Sequence, residues 1–257
     1  MTNEERHAQI LLLLNDKKSV SVHELSSTLL VSGATIRRDL AAMERDGLLS
    51  RSHGGATLLK STAEETAPPK YEQTMLRERR LIGEIASTII RPNSTLFLDS
   101  SETCGAFIPF LKQYNYLSVI TNGLKNALSL SQNTTAKIYF ASGTITPDTD
   151  SCLGSDTVQY FSRFHADYAV FSASGVTEET GATDTSFEQA ALKRVMIQNA
   201  KTKILLCDHT KLDNTFLCQI CDLSDLDYLI TNQNPGYGEI RKEGHVCKVL
   251  YPEEDNS

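Results

Sequence analysis

Apolar residues recur with helical spacing between residues 33 and 46. Ile36, Leu40 and Met43 stand at positions i, i+4 and i+7, which places them on one face of a helix. Ser32 precedes this segment at the N-cap position, where its hydroxyl can accept a hydrogen bond from a backbone N–H three residues later. The pattern therefore predicts a helix that begins near residue 33 and buries one apolar face.

The segments on both sides of this helix complete a larger motif. Residues 4–16 carry apolar residues on one side and predict a first helix, and Ser21 is an N-cap candidate that begins a short second helix. Residues 48–51 and 56–59 are short and largely apolar, and the sequence His53-Gly54-Gly55 between them is typical of a hairpin turn. Three helices followed by a two-stranded hairpin predict a winged helix-turn-helix domain.

The exposed side of the predicted third helix carries candidate chemistry. Its N-terminal half presents short polar residues and two arginines, and this is the end of a recognition helix that contacts base edges in the major groove. The candidate DNA-contacting residues are Ser32, Thr35, Arg37, Arg38, Arg51 and His53. We expect Thr35 and Arg38 at base edges, Ser32 and Arg37 at phosphates or base edges, and the last two at the DNA backbone or minor groove. The alternative is a small helical domain that does not bind DNA, in which the arginines only keep an exposed face soluble.

The pattern changes after the predicted wing. Residues 60–70 lack apolar periodicity and contain a Pro-Pro pair, which predicts an exposed linker. A helix is predicted over residues 71–90. Its three arginines, Arg77, Arg79 and Arg80, are expected on a solvated face, with a contact to DNA or to a partner subunit as the alternative.

From residue 95 onward, short apolar strands alternate with helical segments. Strands are predicted at residues 95–98, 117–121, 137–141, 168–172, 204–207 and 228–231. Helices are predicted between them, for example at residues 124–131, 158–164 and 187–199. This alternation predicts an α/β fold, a mostly parallel, Rossmann-like sheet with helices on both faces. The predicted domains are a winged helix-turn-helix (1–59), a linker (60–70), an α/β effector-sensing and oligomerisation domain (71–252) and an acidic tail (253–257).

Small, polar or charged residues follow the first five predicted strands. In a parallel sheet, ligands bind in a crevice beyond the carboxyl ends of the strands. Several polar groups that converge there suit a polyol-sized ligand. The segments that follow these strands are 99–103, 122–123, 142–144, 173–175 and 208–211.

The charge distribution bears on how the chain could bind DNA. The whole chain of 257 residues has a formal net charge of −7, and residues 1–57 carry seven Lys or Arg and seven Asp or Glu. A DNA-binding domain without net charge has to bind phosphates through local clusters of basic residues and through helix N-termini. We therefore expect one domain alone to bind DNA weakly and a homodimer or homotetramer on paired half-sites to supply the useful affinity.

Cysteine usage and hydropathy indicate the compartment. The chain has six cysteines and no export signal, so we expect reduced thiols in the cytoplasm. No apolar run approaches the roughly 20 residues of a membrane span, so no membrane partner is expected. Cys207, His209, Cys218 and Cys221 could form a zinc site, but only the last two have the close spacing of a ligand pair. The alternative is that these cysteines fill apolar positions.

The sequence resembles a known family. The run Thr35-Ile36-Arg37-Arg38-Asp39-Leu40 and the later run Arg51-Ser52-His53-Gly54-Gly55-Ala56 are similar to the signature of the DeoR family of bacterial transcriptional repressors. Downstream segments continue the resemblance in order, namely Leu98-Asp99-Ser100, Thr121-Asn122, Ser174-Gly175, the helix with Glu188 and Lys193, Asp208 to Lys211 and Leu229-Ile230-Thr231.

This resemblance implies a sugar-phosphate-sensing domain, similar in fold to sugar-phosphate isomerases, that changes the affinity of the winged helix for its operator. No cofactor is expected. The effector-binding residues expected from the resemblance and from the loops are Asp99, Ser100, Glu102, Thr103, Thr121, Asn122, Gly143, Ser174, Gly175, Glu188, Lys193, Asp208 and Lys211. Of these, Lys193 and Lys211 are the candidates to pair with a phosphate.

The chain departs from the family pattern at the first loop. The usual sequence there is Asp-Ser-Gly-Thr-Thr, whereas this chain has Ser101 and Glu102 at the third and fourth positions. A carboxylate about 4 Å from a phosphate would repel it by roughly 4 kcal/mol at an effective dielectric constant near 20. One hypothesis is an effector without a phosphate at this loop, or a weakened response. In the alternative, Glu102 points to solvent and the ligand class of the family is retained.

Two further functions remain open at this point. An isomerase-like enzyme with an accessory DNA-binding domain would need acid–base groups, for which Asp99, Asp184 and Glu188 are candidates. A thiol or metal sensor would be built on Cys218 and Cys221. A ligand-responsive repressor is the favoured interpretation.

Overall fold

The chain divides into two compact units, residues 1–67 and 68–257. The computed structural model describes residues 6–7, 9–10, 13–14, 19–29, 31–45, 49–52, 54–58, 70–146, 150–242 and 244–252. The predicted linker, apart from Lys70, and the predicted acidic tail lie outside the described residues. So does the candidate DNA-contacting residue His53.

The first unit has the elements that the sequence predicts. The described residues between 6 and 14 are helical. They are followed by β1 (Ser19–Ser21), α1 (Val22–Leu29), α2 (Gly33–Arg45), β2 (Leu49–Ser52) and β3 (Gly55–Leu58). The central strand β3 pairs antiparallel with β2, as the predicted hairpin requires, and also with β1. Gly55 is required at the second pairing, because a Cβ there would lie 2.1 Å from the carbonyl oxygen of Val20.

Packing and capping of α2 follow the predicted pattern. Ile36, Leu40 and Met43 are fully buried against the first helical segment and α1. The Ser32 hydroxyl accepts the backbone N–H of Thr35 at 3.1 Å, and the Ser21 hydroxyl caps α1 in the same way. Caps of this kind satisfy N–H groups that the helix leaves unpaired. The winged helix-turn-helix prediction is confirmed.

A buried ion pair joins the first helical segment to α2. Arg6 donates to Asp39 through Nε at 2.6 Å and through Nη2 at 2.9 Å, and both residues are 6% exposed. His7 Nε2 lies 3.4 Å from the second oxygen of the same carboxylate. Hydrogen bonds from Arg6, together with its charge, hold the pKa of Asp39 below its usual value.

The second unit is built on one parallel sheet. Its helices are α3 (Lys70–Ser87), α4 (Glu102–Phe107), α5 (Leu124–Asn133), α6 (Ser155–Phe161) and α7 (Phe187–Gln198). Its main strands are β4 (Thr95–Leu98), β5 (Ser118–Thr121), β6 (Lys137–Phe140), β9 (Ala166–Phe171), β12 (Ala200–Cys207), β14 (Tyr228–Thr231) and β17 (Lys248–Leu250). These seven strands lie in the order β17-β14-β12-β9-β4-β5-β6 and all pair parallel, which confirms the predicted α/β class.

Both faces of this sheet are buried. Phe97, Phe171 and Leu205 pack under α6 and α7 on one face. Leu98 and Leu206 pack under α3, α4 and α5 on the other. Strands that are buried on both faces read as nearly continuous apolar runs, which is why the sequence locates them well. Within the described residues, no helix is both long enough and apolar enough to span a bilayer.

Several short elements escape sequence prediction. Strands β7 (Thr144–Thr146) and β8 (Ser151–Leu153) form a hairpin, and a small antiparallel sheet contains β10 (Gly175–Thr177), β11 (Gly181–Asp184) and β13 (Cys218–Cys221). Short β15 (Arg241–Lys242) and β16 (His245–Val246) also pair. Helix α6 begins and ends three residues earlier than predicted, because Gly154, at φ +106°, lets the chain turn directly into it.

Candidate DNA interface and ligand cleft

Two arginines lie on the exposed side of α2. Arg37 and Arg38 are exposed, and neither has an acidic partner within the part of the chain that the structure describes. Thr35, one turn nearer the helix N-terminus, is half-buried, and its hydroxyl lies 2.9 Å from that of Ser32. The helix thus presents two guanidinium groups next to a small polar surface.

A concave surface adjoins these residues. It encloses about 400 Å³ between α1, α2 and the wing, and its lining includes His23, Arg37 and Arg51. Arg51 is held in place by Glu44, whose carboxylate accepts the backbone N–H of Arg51 at 2.9 Å and lies 3.8 Å from its guanidinium. Three basic side chains around one hollow suit a DNA phosphate.

The second unit has a polar cleft at the carboxyl ends of β4 and β9. It encloses about 380 Å³, which falls in the range of roughly 300–1,000 Å³ for small-molecule sites. The structure places part of the predicted effector set on its wall, namely Asp99, Ser100, Glu102, Ser174, Lys193 and Lys211. These residues come from four separate loops or helices.

The rest of the predicted effector set lies off the cleft wall, and part of it supports the backbone around the cleft. The Thr121 hydroxyl accepts the backbone N–H of Gly123, and buried Asn122 donates to the carbonyl of Cys152. A Cβ at Gly143 or Gly175 would lie 2.3 Å from a neighbouring oxygen, so close packing explains both glycines. The others are Thr103 and Asp208, which are buried, and Glu188, which is exposed.

Sequence reasoning missed several lining residues. Asp150 and Ser151 reach the cleft from the β7–β8 hairpin, and Ser186 and Gln189 reach it from the start of α7. Lys125 lies in the first turn of α5, where it pairs with Asp150 at 2.6 Å. Of these residues, only Lys125 could have been predicted to line the cleft, because it follows the loop at residues 122–123. The β7–β8 hairpin has no apolar pattern that would indicate it in the sequence.

An ion network forms the floor of the cleft. The ammonium group of buried Lys193 lies 2.6 Å from Asp184 and 3.7 Å from Asp99. Asp99 also accepts the backbone N–H groups of Ser101 and Ser172, both at 2.8 Å. Lys193, expected from the sequence to pair with a phosphate, is therefore already neutralised by two carboxylates.

The charges of this network reinforce one another. Burial by itself lowers the pKa of Lys193, but the charges of Asp99 and Asp184 outweigh it and leave that pKa raised. Burial likewise acts to raise the pKa of Asp184, and attraction to Lys193 more than reverses this, so its pKa is lowered. At neutral pH the lysine stays protonated and the aspartate stays ionised.

The two remaining lysines of the cleft differ. Lys125 is paired with Asp150, whereas Lys211 has no acidic partner among the residues that the structure describes. Lys211 lies on a turn that follows β12, and Asp208 caps this turn by accepting the backbone N–H of Thr210. Of the cleft lysines, Lys211 is the one whose charge is available to a ligand.

Arg79 corrects the sequence-based picture of α3. Its side chain is 19% exposed instead of solvated, because it donates to Glu102 and its Nε lies 3.6 Å from Asp208. The preceding residue, Glu78, lies 3.3 Å from Nδ1 of His209. Glu102 therefore does not simply point to solvent, since its carboxylate is held by an arginine from α3.

The proposed metal and thiol chemistry finds no support in the geometry. Among the described residues, no three His, Cys, Asp or Glu side chains are grouped as a metal site would require. Burial raises the pKa of both Cys207 and Cys221 to about 12, so both are protonated at neutral pH. The thiolate is the reactive and metal-binding form of cysteine.

Comparison with known families decides the classification. The family described as "DeoR-like helix-turn-helix domain" matches residues 6–62, and the "DeoR C terminal sensor domain" matches residues 74–233. The chain belongs to the DeoR family. This confirms the resemblance seen in the sequence and makes the protein a DNA-binding transcriptional regulator of the DeoR family.

Curated relatives agree over nearly the whole chain. The regulator GolR of Listeria innocua is 34% identical and covers 89% of this chain and 90% of its own length. The repressor GlcR of Bacillus subtilis is 32% identical, with coverage of 91% and 90%. The glycerol-3-phosphate regulon repressor of Haemophilus influenzae is 30% identical, with coverage of 95% and 96%.

Solved structures give a weaker likeness. Ribose 5-phosphate isomerase A of Methanocaldococcus jannaschii matches with a TM-score of 0.40 at 14% identity and covers 55% of each chain. Translation initiation factor eIF-2B of Pyrococcus horikoshii matches with a TM-score of 0.44 at 17% identity, covering 58% of this chain and 52% of that one. The fold class rests on the strand order and directions given above.

Proposed function

We propose that the protein is a repressor of carbohydrate-metabolism genes that leaves its operator when a sugar or sugar phosphate binds the second unit. Arg37 and Arg38, which are exposed and have no acidic partner among the described residues, carry the DNA-binding half of this proposal. Residues on the opposite side of α2 are fully buried, so the helix can present only this side to a DNA groove. The effector half rests on the polar cleft and on Lys211, which has no acidic partner among the described residues.

Within this proposal, each candidate residue has a role. Arg38 and Thr35 read base edges, and Arg37 and Arg51 bind phosphates around the hollow that they line. In the cleft, Ser100 and Ser174 offer hydroxyls to a polyol, and Lys211 meets the anionic end of the effector. Two copies of the chain on adjacent half-sites compensate for the neutral charge of residues 1–57.

We assign no catalytic role to the cleft. Acid–base catalysis needs a group that titrates near the working pH. The attraction between Lys193 and Asp184 raises the pKa of the lysine and lowers the pKa of the aspartate, so neither group titrates near pH 7. Glu188, another of the acid–base candidates, is exposed and lies outside the cleft. The network thus fits a structural floor beneath a ligand, and we infer that the protein is not an enzyme.

Arg38→Ala should weaken operator binding by about 1–3 kcal/mol and relax preference at one base position, because a bidentate contact to guanine would be lost. Arg37→Ala should instead weaken binding to all sequences alike and reduce the salt dependence by about one phosphate contact. Fluorescence anisotropy with the footprinted operator and single-base variants measures both effects. The control is Arg163→Ala, which removes an exposed arginine of the second unit. Equal losses for all three variants would contradict the assignment.

Effector release tests the other half of the proposal. Genomic footprinting supplies the operator and points to the metabolic genes beside it. We expect one sugar or sugar phosphate from a panel chosen on those genes to lower operator affinity at least fivefold, which corresponds to about 1 kcal/mol of coupling. Lys211→Gln should reduce this response without changing operator affinity in the absence of ligand. Operator binding that no member of the panel alters would refute effector release.

A further inference from the structure

A carboxylate of the cleft wall is already paired with an arginine of α3 that does not itself line the cleft. Glu102 is 81% exposed at its side chain, yet its Oε2 accepts a hydrogen bond from Nη1 of the largely buried Arg79. An exposed glutamate has no need of a partner, since water solvates it well. The carboxylate of Glu102 therefore occupies the position at Arg79 where the anionic group of a ligand could otherwise bind.

The same arginine leaves a buried carboxylate incompletely satisfied. Asp208 is fully buried, and its Oδ2 lies 3.6 Å from Nε of Arg79. Neither of these two atoms has a hydrogen-bond partner in the described structure. One guanidinium thus faces two carboxylates, so the group Arg79–Glu102–Asp208 carries a net charge of −1.

We propose that Glu102 is a specificity-determining residue, which acts as a built-in anion at Arg79 and excludes phosphate from the Ser100–Glu102 loop. The effector then presents hydroxyl groups at this loop, and any anionic group that it carries lies at Lys211. This inference rests on the proposed function of the cleft as the effector site. It predicts that neutralising Glu102 frees a guanidinium donor and removes the net negative charge from the loop.

The other charges around the loop support this assignment. Lys193 is neutralised by Asp99 and Asp184, and Lys125 by Asp150, so neither offers a spare charge to a phosphate at the loop. Lys211 lines the same cleft, but among the described residues Arg79 is the cation that forms an ion pair with the loop itself, and Glu102 is its exposed, displaceable partner. Replacing Glu102 alone is therefore enough to expose a new anion site.

Phosphate binding by matched variants tests the proposal. The probe is inorganic phosphate, titrated by calorimetry into the full-length protein at constant ionic strength. Glu102→Gln keeps the shape of the side chain and removes its charge, and it should bind phosphate at least tenfold more tightly than the wild type. The gain should vanish in Glu102→Gln combined with Arg79→Gln. Glu84→Gln, which neutralises an exposed carboxylate of α3 outside the cleft, should bind phosphate as the wild type does.

The outcomes separate cleanly. No gain in Glu102→Gln overturns the proposal, and this outcome does not require the double variant to fold. A gain that persists without Arg79 also overturns it, because simple loss of repulsion would then explain the result. The proposed function fails separately, through absence of operator binding or of effector release by the wild type, and neither result changes the reading of the phosphate titration.

Discussion

Replacing Lys193 with methionine is expected to lower the free energy of unfolding of the second unit by about 3–5 kcal/mol. The ammonium group is the cation that neutralises two carboxylates at the cleft floor, 2.6 Å from Asp184 and 3.7 Å from Asp99. Methionine fills a similar volume but leaves both acids buried without a positive charge. The loss of stability is therefore that of leaving buried charges uncompensated, and it far exceeds the loss caused by breaking an exposed ion pair.

Thermal unfolding followed by circular dichroism measures this effect on the full chain. A loss of this size in a unit of this length corresponds to a fall in Tm of roughly 6–20 °C. Lys201→Met is the matched control, since Lys201 pairs with Asp167 at 2.8 Å but is 81% exposed at its side chain. We expect it to cost no more than about 1 kcal/mol. Equal Tm values for the two variants would show that the buried network contributes no more than a surface pair.

Patterns that depend on neighbouring residues were predictable from the sequence. The apolar face of α2, the Ser32 cap and the strand–helix alternation are local, because each is set by residues a few positions apart. The strands of the main sheet were recognisable because both of their faces are buried, and the sequence there is apolar throughout. The same logic placed the cleft at the carboxyl ends of the strands.

Features that depend on residues distant in the chain were not predictable. Arg79 has a helical neighbourhood that is typical of a solvated face, and its burial is caused by Glu102 and Asp208, which lie on other loops. Lys193 has the sequence context of a free lysine, and only the fold brings Asp99 and Asp184 to it. The β7–β8 hairpin adds Asp150 to the cleft although its strands are too short and polar to show a pattern.

Asp39→Asn is expected to destabilise the first unit by about 3–5 kcal/mol, because the buried Arg6 would lose the carboxylate that it contacts at 2.6 and 2.9 Å. Small domains have little stability in reserve, so a loss of this size should unfold most of the unit and abolish operator binding. Asp39 does not need to touch DNA for this result. Its carboxylate connects the first helical segment to the middle of α2, and so holds Arg37 and Arg38 on a folded helix.

Dependence on pH gives a second signature of the same pair. Hydrogen bonds and charge from Arg6 lower the pKa of Asp39 in the folded state. A carboxyl group with a lowered folded pKa contributes stability above its unfolded pKa, near 3.9, and loses that stability as the pH falls through the folded value. The first unit of the wild type should therefore be stable from neutral pH down to about pH 5 and weaken below about pH 4. In the fraction of Asp39→Asn that remains folded, this part of the acid dependence should be missing.

A double variant distinguishes two causes of the instability, the burial of the Arg6 charge and the loss of its attraction to Asp39. Arg6→Met combined with Asp39→Leu removes both charges and fills the space with apolar atoms, which commonly restores most of the stability lost by breaking a buried pair. Glu44→Gln is the control within the same unit, because Glu44 belongs to the half-exposed pair with Arg51. Urea titrations of the full chain compare all four proteins. If Glu44→Gln costs as much as Asp39→Asn, or if the double variant is no more stable than Asp39→Asn, the burial of Arg6 is not what makes Asp39 necessary.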